Sequence, residues 1–259
     1  VSAFGLNRRG LIGVGAAGAG GLLLAACDRL STAPRVQSVL GDATGITQDA
    51  QRLLLSNQPL AREFAARDLS PVFKANGTLM PTTRAYQALM QGGFADYRLA
   101  VEGLVRRPLR LTLDQLKAMP QRTQITRHDC VEGWSAIGQW TGVQLARVLA
   151  LAAPLPQARF VVFRCADDLG GTNDANGLYY ESIDMFDALH PQTILAWAMN
   201  GQPLEVAHGA PLRLRVERQL GYKHAKYVMR IQLVERLDGI AGGKGGFWED
   251  RGYAWYAGI

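Results

Sequence analysis

Cysteine and histidine are scarce in this chain, so each one can be weighed as a reactive group. The cysteines are Cys27, Cys130 and Cys165, and the histidines are His128, His190, His208 and His224. The sequence holds no C-x-x-C pair, no C-x-x-C-H haem attachment and no zinc-type ligand spacing. So few histidines also argue against a bis-histidine haem. Two chemistries remain open for Cys130 and Cys165. In an oxidising compartment a disulfide is the simplest outcome. As a thiolate, either one would be a strong donor to a soft, redox-active metal. A second group gathers late in the chain: His208, Arg213, His224 and Lys226. A guanidinium grips phosphate through two parallel hydrogen bonds and an ammonium adds a point charge. Arg213 also fits an ordinary exposed strand residue, because arginines alternate along that stretch.

These residues need elements to position them. Tyr97 to Val105 alternates apolar and polar residues, as a half-buried strand does, and Leu109 to Leu111 continues the alternation. Thr112-Leu113-Asp114-Gln115 reads as a capping box opening a helix that stops at Pro120. Thr123 to His128 reads as a strand that delivers Cys130 to the loop after it. Thr141-Gly142-Val143-Gln144 reads as a second capping box before an apolar helix ending at Pro154. Arg159 to Cys165 is an apolar strand and Ser182 to Leu189 a short helix. Leu195 to Met199 runs into an Asn200-Gly201 turn. Leu212 to Val216 and Tyr227 to Leu233 are further strands. Thr82 to Met90 and Asp49 to Leu55 are helices, and the rest of residues 28–70 reads as an extended arm. Strands and short helices mix without a βαβ period, so the fold class is α+β with mixed sheets.

The run Arg127-His128-Asp129-Cys130-Val131-Glu132-Gly133-Trp134-Ser135, continuing to Trp140-Thr141-Gly142-Val143, resembles the molybdenum-binding core of the sulfite-oxidase fold. Three later segments match it in order. They are Met199-Asn200-Gly201-Gln202-Pro203-Leu204, His208-Gly209-Ala210-Pro211-Leu212-Arg213 and Gly221-Tyr222-Lys223-His224-Ala225-Lys226. Within that fold the chain is most similar to the bacterial branch of periplasmic protein-methionine-sulfoxide reductase catalytic subunits. The resemblance implies a molybdenum–molybdopterin cofactor without added nucleotide, and no haem. It implies Cys130 as the metal's thiolate ligand. It implies Arg213, His208 and Lys226 at the pterin phosphate, with backbone amides of His224 and Ala225 adding donors. Asn76, with Phe73 and Gly77, aligns with the family's N-terminal cofactor loop; read alone, Asn76-Gly77 is a plain turn. Cys165 stands where the reductase branch has a threonine close to the cofactor. His128 falls near the metal site, with no role fixed by its position.

Departures separate the branches. Ala75 and the Val131-Glu132-Gly133-Trp134 stretch stand where sulfite oxidases carry anion-neutralising arginines, and no replacement occurs at those places. The sulfite oxidases' extra C-terminal immunoglobulin-like domain is not expected after Ile259. His208, conversely, is closer to sulfite oxidases than to the reductase, which has asparagine there. The expected activity is oxygen-atom transfer at a small or protein-bound sulfoxide-like substrate. Oxidation of sulfite or another small anion is the alternative, and a non-catalytic cofactor- or anion-binding lipoprotein is a third reading. Electrons would come from a partner such as a haem membrane subunit or a cytochrome.

Composition bounds the rest. The chain has 259 residues, is 48% hydrophobic and carries a formal charge of +6. That mild excess, with no basic run interleaved with aromatics, excludes an ordinary nucleic-acid binder. Arg8-Arg9 followed by an uncharged Gly-, Ala- and Leu-rich stretch to Ala26 reads as a twin-arginine export signal. Leu24-Ala25-Ala26-Cys27 resembles a lipobox, and Asp28 resembles an inner-membrane retention signal. The expected organisation is a signal over 1–26, an N-terminal arm over 27–69, the molybdopterin-binding domain over 70–238 and a packed tail over 239–259. The expected location is the periplasm, with a tether to the inner membrane through Cys27. A diacylated Cys27 would hold the chain on a membrane. Cys27→Ser should therefore move the protein from the membrane to the soluble fraction, and unchanged fractionation would remove the tether from this reading.

Overall fold

The computed structural model describes residues 33–54, 59–170 and 177–259. Arg8, Arg9 and Cys27, on which the signal and the lipobox rest, lie outside the described residues. Two compact units divide the chain near Leu54. In the first, Pro34–Leu54 is one α-helix, α1. It is longer than the short helix expected near its end, and it replaces much of the expected extended arm. Proline at its first position is pre-set for helix and has no N–H to leave unpaired.

In the second unit the expected alternation becomes two sheets. After α2 (Arg84–Gln91), the chain forms β1 (Arg98–Gly103) and β2 (Leu109–Thr112). Then come α3 (Leu113–Lys117), β3 (Gln121–Asp129), β4 (Ser135–Gln144) and α4 (Leu145–Ala152). They are followed by β5 (Phe160–Asp168), β6 (Leu178–Asp184), α5 (Met185–Ala188) and β7 (Ile194–Met199). The last strands are β8 (Gln202–Pro203), β9 (Arg213–Arg215) and β10 (Val228–Val234). One sheet has the order β2-β1-β10-β5-β6, and the other β3-β4-β7-β8, with β9 also on β7. Among the described residues only the β1–β10 pair is parallel. This is the α+β architecture of mixed sheets and short helices that the sequence predicts.

One apolar core draws side chains from both sheets, among them Leu99, Val101, Val143, Phe163, Leu195, Leu214 and Ile231. Each such side chain contributes about 1.5–3 kcal/mol when fully buried. Helix α4 buries Leu145, Val148, Leu149 and Ala152, the single-face spacing that an amphipathic helix needs. A smaller cluster of Trp140, Ile194, Ala196, Met199 and Leu204 packs against Phe73.

Local signals succeed where no long-range pairing competes. The Thr112–Gln115 capping box forms with both reciprocal bonds, Gln115 N donating to Thr112 Oγ1 at 3.0 Å and Thr112 N to Gln115 Oε1 at 2.9 Å. The second expected box does not form. Thr141 to Gln144 belong to β4, paired on both sides with β3 and β7. Thr141 Oγ1 lies 2.9 Å from Thr123 Oγ1 instead of capping a helix. Ser182 to Asp184 likewise join β6, so the expected helix shrinks to Met185–Ala188, capped by Asp184 Oδ1 accepting from Asp187 N at 2.9 Å.

Both flanks of the domain are tied to it. Phe64 N donates to Ile125 O at 2.9 Å and Ser70 N to Ile137 O at 3.0 Å. The tail is fixed by Phe247 N donating to Tyr180 O at 2.9 Å and Trp255 Nε1 to Ser182 Oγ at 2.8 Å. At the end of β1, Gly103 has φ +87°, and a Cβ there would sit 2.3 Å from Leu233 O. Gly103→Ala combines a disfavoured backbone with a backbone collision, so it should destabilise the domain by about 2–4 kcal/mol. Thermal or denaturant unfolding measures this, and a change within error would contradict it.

Candidate active site

Strand β3 ends at Asp129 and the chain turns back into β4 within a few residues. The turn is closed by Cys130 N donating to Trp134 O at 2.9 Å and Gly133 N donating to Cys130 O at 3.0 Å. Gly133, at φ +85°, supplies the left-handed conformation that it needs. Asp129 braces both sides, accepting from Ser135 Oγ at 2.5 Å and Arg127 Nε at 2.9 Å. The Cys130 thiol is thereby aimed into a cavity of about 170 Å³. That is more than ten times the roughly 10–15 Å³ that one buried water requires, so the cavity has room for more than a single water.

Cys130 is buried, and burial is the main influence raising its thiol pKa. Asn76 Nδ2 donates to its sulfur at 3.2 Å, a contact that favours the thiolate. Lys226 holds the loop carrying Asn76, donating from Nζ to Asn76 O at 2.8 Å, to Ala207 O at 2.9 Å and to Thr78 O. Tyr227 Oη adds a bond to Thr78 O at 2.8 Å. Asn76, Gly77, Cys130, Arg213, His224 and Lys226 all line the one cavity.

The sealed end of the cavity is cationic. Arg213, expected as a possible exposed strand residue, is only 4% exposed, and Lys226 8%. Among the described residues neither forms a salt bridge. Arg213 Nη1 donates to His208 O at 3.0 Å while its Nε has no partner. Burial, then the adjacent Arg215, lowers the Arg213 pKa to about 9. Burial, then Arg213, lowers Lys226 to about 7. Two buried basic groups that form no salt bridge, with Asp167 the carboxylate that acts on Lys226 across the same cavity, make this end suited to an anion.

Histidines pack below. His128 Nδ1 accepts from Arg215 Nη1 at 3.0 Å, and Arg215 makes a buried bidentate pair with Glu217 at 2.9 and 2.6 Å. Burial, then His224, depresses the His128 pKa well below its usual value. The His128 and His224 rings meet edge to face at 5.0 Å. His224 Nε2 donates to Gln219 O at 3.0 Å, leaving Nδ1 as a buried acceptor without a partner.

Other expected cofactor contacts fall differently. Phe73 lies under the site as an aromatic hub, touching Trp140, His128, His208 and Trp134 at 5.4–6.2 Å between centroids. His208 is half-buried beside Arg213, with its Nδ1 unpartnered. Ala225 is buried in the core, its carbonyl accepting from Leu214 N at 2.8 Å. Cys165 is not brought to the cavity. It sits in the main core as a free thiol, because β5 turns that side chain inward. Cys130 is also a free thiol, so the two are not joined.

The cavity also takes residues that the sequence reading does not single out. Asp167 lines it with Oδ1 unpartnered, and burial raises its pKa to about 7. Its acidic side chain in the apolar run of β5 is the one sequence signal for it. Trp248 and Tyr253 reach the cavity from the tail, where no periodicity points to a site. Among the described residues no three His, Cys, Asp or Glu side chains gather as a metal cluster.

Known proteins match more than half of this chain. Residues 87–239 match the family described as oxidoreductase molybdopterin binding domain. The chain is 45% identical over 164 residues to a protein of Azospira oryzae named provisionally as protein-methionine-sulfoxide reductase subunit YedZ1, covering 63% of this chain and 56% of that one. It is 37% identical over 149 residues to the protein-methionine-sulfoxide reductase catalytic subunit MsrP of Xanthomonas campestris, covering 55% and 46%. The Gluconobacter oxydans MsrP is 38% identical over 147 residues, covering 54% and 47%. The chain thus spans about half the length of the curated relatives it matches. Among solved structures, the sulfane dehydrogenase SoxCD of Paracoccus pantotrophus is similar at TM-score 0.48 and 26% identity, over 55% of this chain and 39% of that one.

Folding holds His224 neutral well below the imidazole value of 6.5, chiefly by burial and then by Arg215. As pH falls, the unfolded chain takes up that proton first. The stability contributed by the neutral ring is therefore complete above 6.5 and is lost below it, by about 1.4 kcal/mol per pH unit. Wild type should lose thermal stability more steeply than His224→Gln between about pH 7 and about pH 5. Parallel curves would show that the ring is not held neutral.

Proposed function

Since this chain belongs to the oxidoreductase molybdopterin-binding domain family, we propose that it is a molybdenum-cofactor enzyme that removes the oxygen of a sulfoxide. The observation that carries this reading is the pairing, in one cavity, of a lone thiol with two buried basic side chains that form no salt bridge among the described residues. A thiolate suits a redox-active metal, and Arg213 with Lys226 suits a phosphate. The unpartnered polar atoms fit the cofactor too. Arg213 Nε is a donor for a phosphate oxygen, whereas the expected His224 amide already donates to Gly221 O at 3.1 Å. Asp167 Oδ1 and His224 Nδ1 are acceptors for the pterin's N–H groups.

When bound, the cofactor supplies two-electron exchange coupled to oxygen-atom transfer. The chain's residues do the positioning. Cys130 provides the protein's metal ligand, held at the tip of a rigid hairpin. Asn76 fixes the sulfur's orientation through its amide. Lys226 ties the phosphate end to the Asn76 loop, so anchoring the cofactor also sets the loop that touches Cys130. His128, oriented by Arg215, stays neutral beneath the turn.

The substrate fits the name shared by the relatives, protein-methionine-sulfoxide reductase. With no C-x-x-C-H motif in the sequence, electrons would arrive from a separate partner, a haem membrane subunit or a soluble cytochrome. The export signal and Cys27 support a periplasmic, membrane-tethered protein. No helix among the described residues is long and apolar enough to cross a membrane.

Cys130→Ser and Cys165→Ala test the assignment side by side. Cys130→Ser should lose turnover by at least about 100-fold while keeping its thermal midpoint and its pterin. Cys165→Ala should keep molybdenum and most activity, with a core-packing cost of about 1–2 kcal/mol. Molybdenum content, pterin content, turnover with an artificial electron donor and thermal unfolding read these outcomes. A fully active Cys130→Ala protein would end the thiolate reading.

A further inference from the structure

The cavity has two ends of different character. The end formed by Arg213, Lys226, His224 and Asp167 is at least nine-tenths buried and polar. The other end opens to solvent past Val131, 48% exposed beside Cys130, and Tyr253, 39% exposed. Tyr253 is stacked on Trp248, with centroids 5.4 Å apart and planes 28° from parallel, and both rings line the cavity.

The chain goes to some length to build that pair. A 3-10 turn over Glu249–Arg251 ends at Gly252, at φ +104°, and Tyr253 N donates to Trp248 O at 3.0 Å. The turn folds the second ring back onto the first. Glu249 fixes it from beneath, accepting from the fully buried Lys223 Nζ at 2.6 Å, and Lys223 also donates to Glu181 at 2.6 Å. Lys223 is the neighbour of His224, so the turn is tied directly to the cavity's buried end. Tyr222 packs on Tyr253 edge to face at 5.2 Å. The matched family region stops at residue 239, so this wall belongs to a segment beyond it.

The open end offers little to a small inorganic anion. The Glu132 carboxylate lines it, held by Lys74 Nζ at 3.3 Å and Trp134 Nε1 at 3.0 Å. Aromatic rings, by contrast, favour apolar groups and thioether sulfur.

We infer that the Trp248–Tyr253 pair is the specificity-determining wall of the cavity, selecting sulfoxides that carry a bulky apolar or aromatic substituent over small polar oxygen donors. This rests on the oxygen-atom-transfer reading above. The sulfoxide's apolar substituent lies on the two rings while its S–O group faces the Cys130 side. Tyr253, the exposed ring of the pair, is placed to meet what enters from solvent.

The test uses the cofactor-loaded full chain and its Trp248→Ala, Tyr253→Ala and Tyr253→Phe variants. Turnover of methyl p-tolyl sulfoxide and of dimethyl sulfoxide is measured with an artificial electron donor. Thioanisole binding to the loaded, unreduced protein is measured by calorimetry. The two alanine variants should lower the aryl-to-dimethyl kcat/KM ratio about tenfold, mainly through KM, and weaken thioanisole binding to match. Tyr253→Phe, which keeps the stack, should hold the ratio within about twofold. If Trp248→Ala misfolds, the Tyr253 pair of variants carries the comparison. An unchanged ratio and unchanged thioanisole binding in properly folded Tyr253→Ala would overturn the inference. So would loss of molybdenum from that variant, which would put the wall against the cofactor. Wild type that turns over no sulfoxide would instead refute the proposed function, and thioanisole binding would still decide the role of the wall.

Discussion

Two basic side chains, Arg213 and Lys226, are buried together with no salt bridge among the described residues and with Asp167 lining the same cavity, and much of the site's construction answers to them. Burying an unpaired charge is among the costliest things a fold can do. Here the cost is limited locally by carbonyls. Lys226 spreads its ammonium over Asn76, Thr78 and Ala207, and Arg213 donates to His208 and lies over the Trp140 ring at 5.1 Å. Carbonyl dipoles ease the desolvation but leave the net charge in place. An anion entering the cavity removes both penalties together, which gives a phosphate-bearing ligand affinity before any other group on it is read.

That arrangement also couples the two ends of the site. The carbonyls that satisfy Lys226 belong to the loop whose Asn76 side chain touches the Cys130 sulfur. The phosphate anchor and the metal ligand are therefore one hydrogen-bonded unit, although 150 residues separate Asn76 from Lys226. Beneath them, Arg215 is also fully buried but fully answered, by Glu217, His128 and the Trp140 face at 4.4 Å. Adjacent arginines of one strand thus take opposite roles. Arg215 is spent on structure, whereas Arg213 is left open for a ligand.

The tail shows the same logic at the other end. Lys223 lies between Glu181 and Glu249 with no exposure, and coulombic attraction from both acids outweighs burial to leave its pKa raised. Removing one partner of such a group typically costs about 3–5 kcal/mol. The tail is therefore part of the domain, and the rings it carries face the cavity at fixed positions.

Much of the fold is legible in the sequence because its signals are local. Alternation in Arg98–Gly103 and Val228–Val234 marks strands whose alternate residues enter the core, and the Thr112–Gln115 box closes with atoms three residues apart. Cys130 at a strand end, and Arg213 and Lys226 at their spacing, stand out by residue type and by resemblance to a family. Local signals fail where distant strands compete, as at Thr141–Gln144, which two neighbouring strands claim for β4. They are silent where burial has no period. Nothing in the sequence says that Cys165 points into the core while Cys130 points into a cavity, or that alternating arginines are inside. Nothing places Asp167, Trp248 and Tyr253 around the same space. The sequence determined which residues had the chemistry. Which of them share one cavity was decided by tertiary packing alone, because convergence across 150 residues depends on how whole sheets and the tail bury their surfaces, and no short-range pattern encodes that.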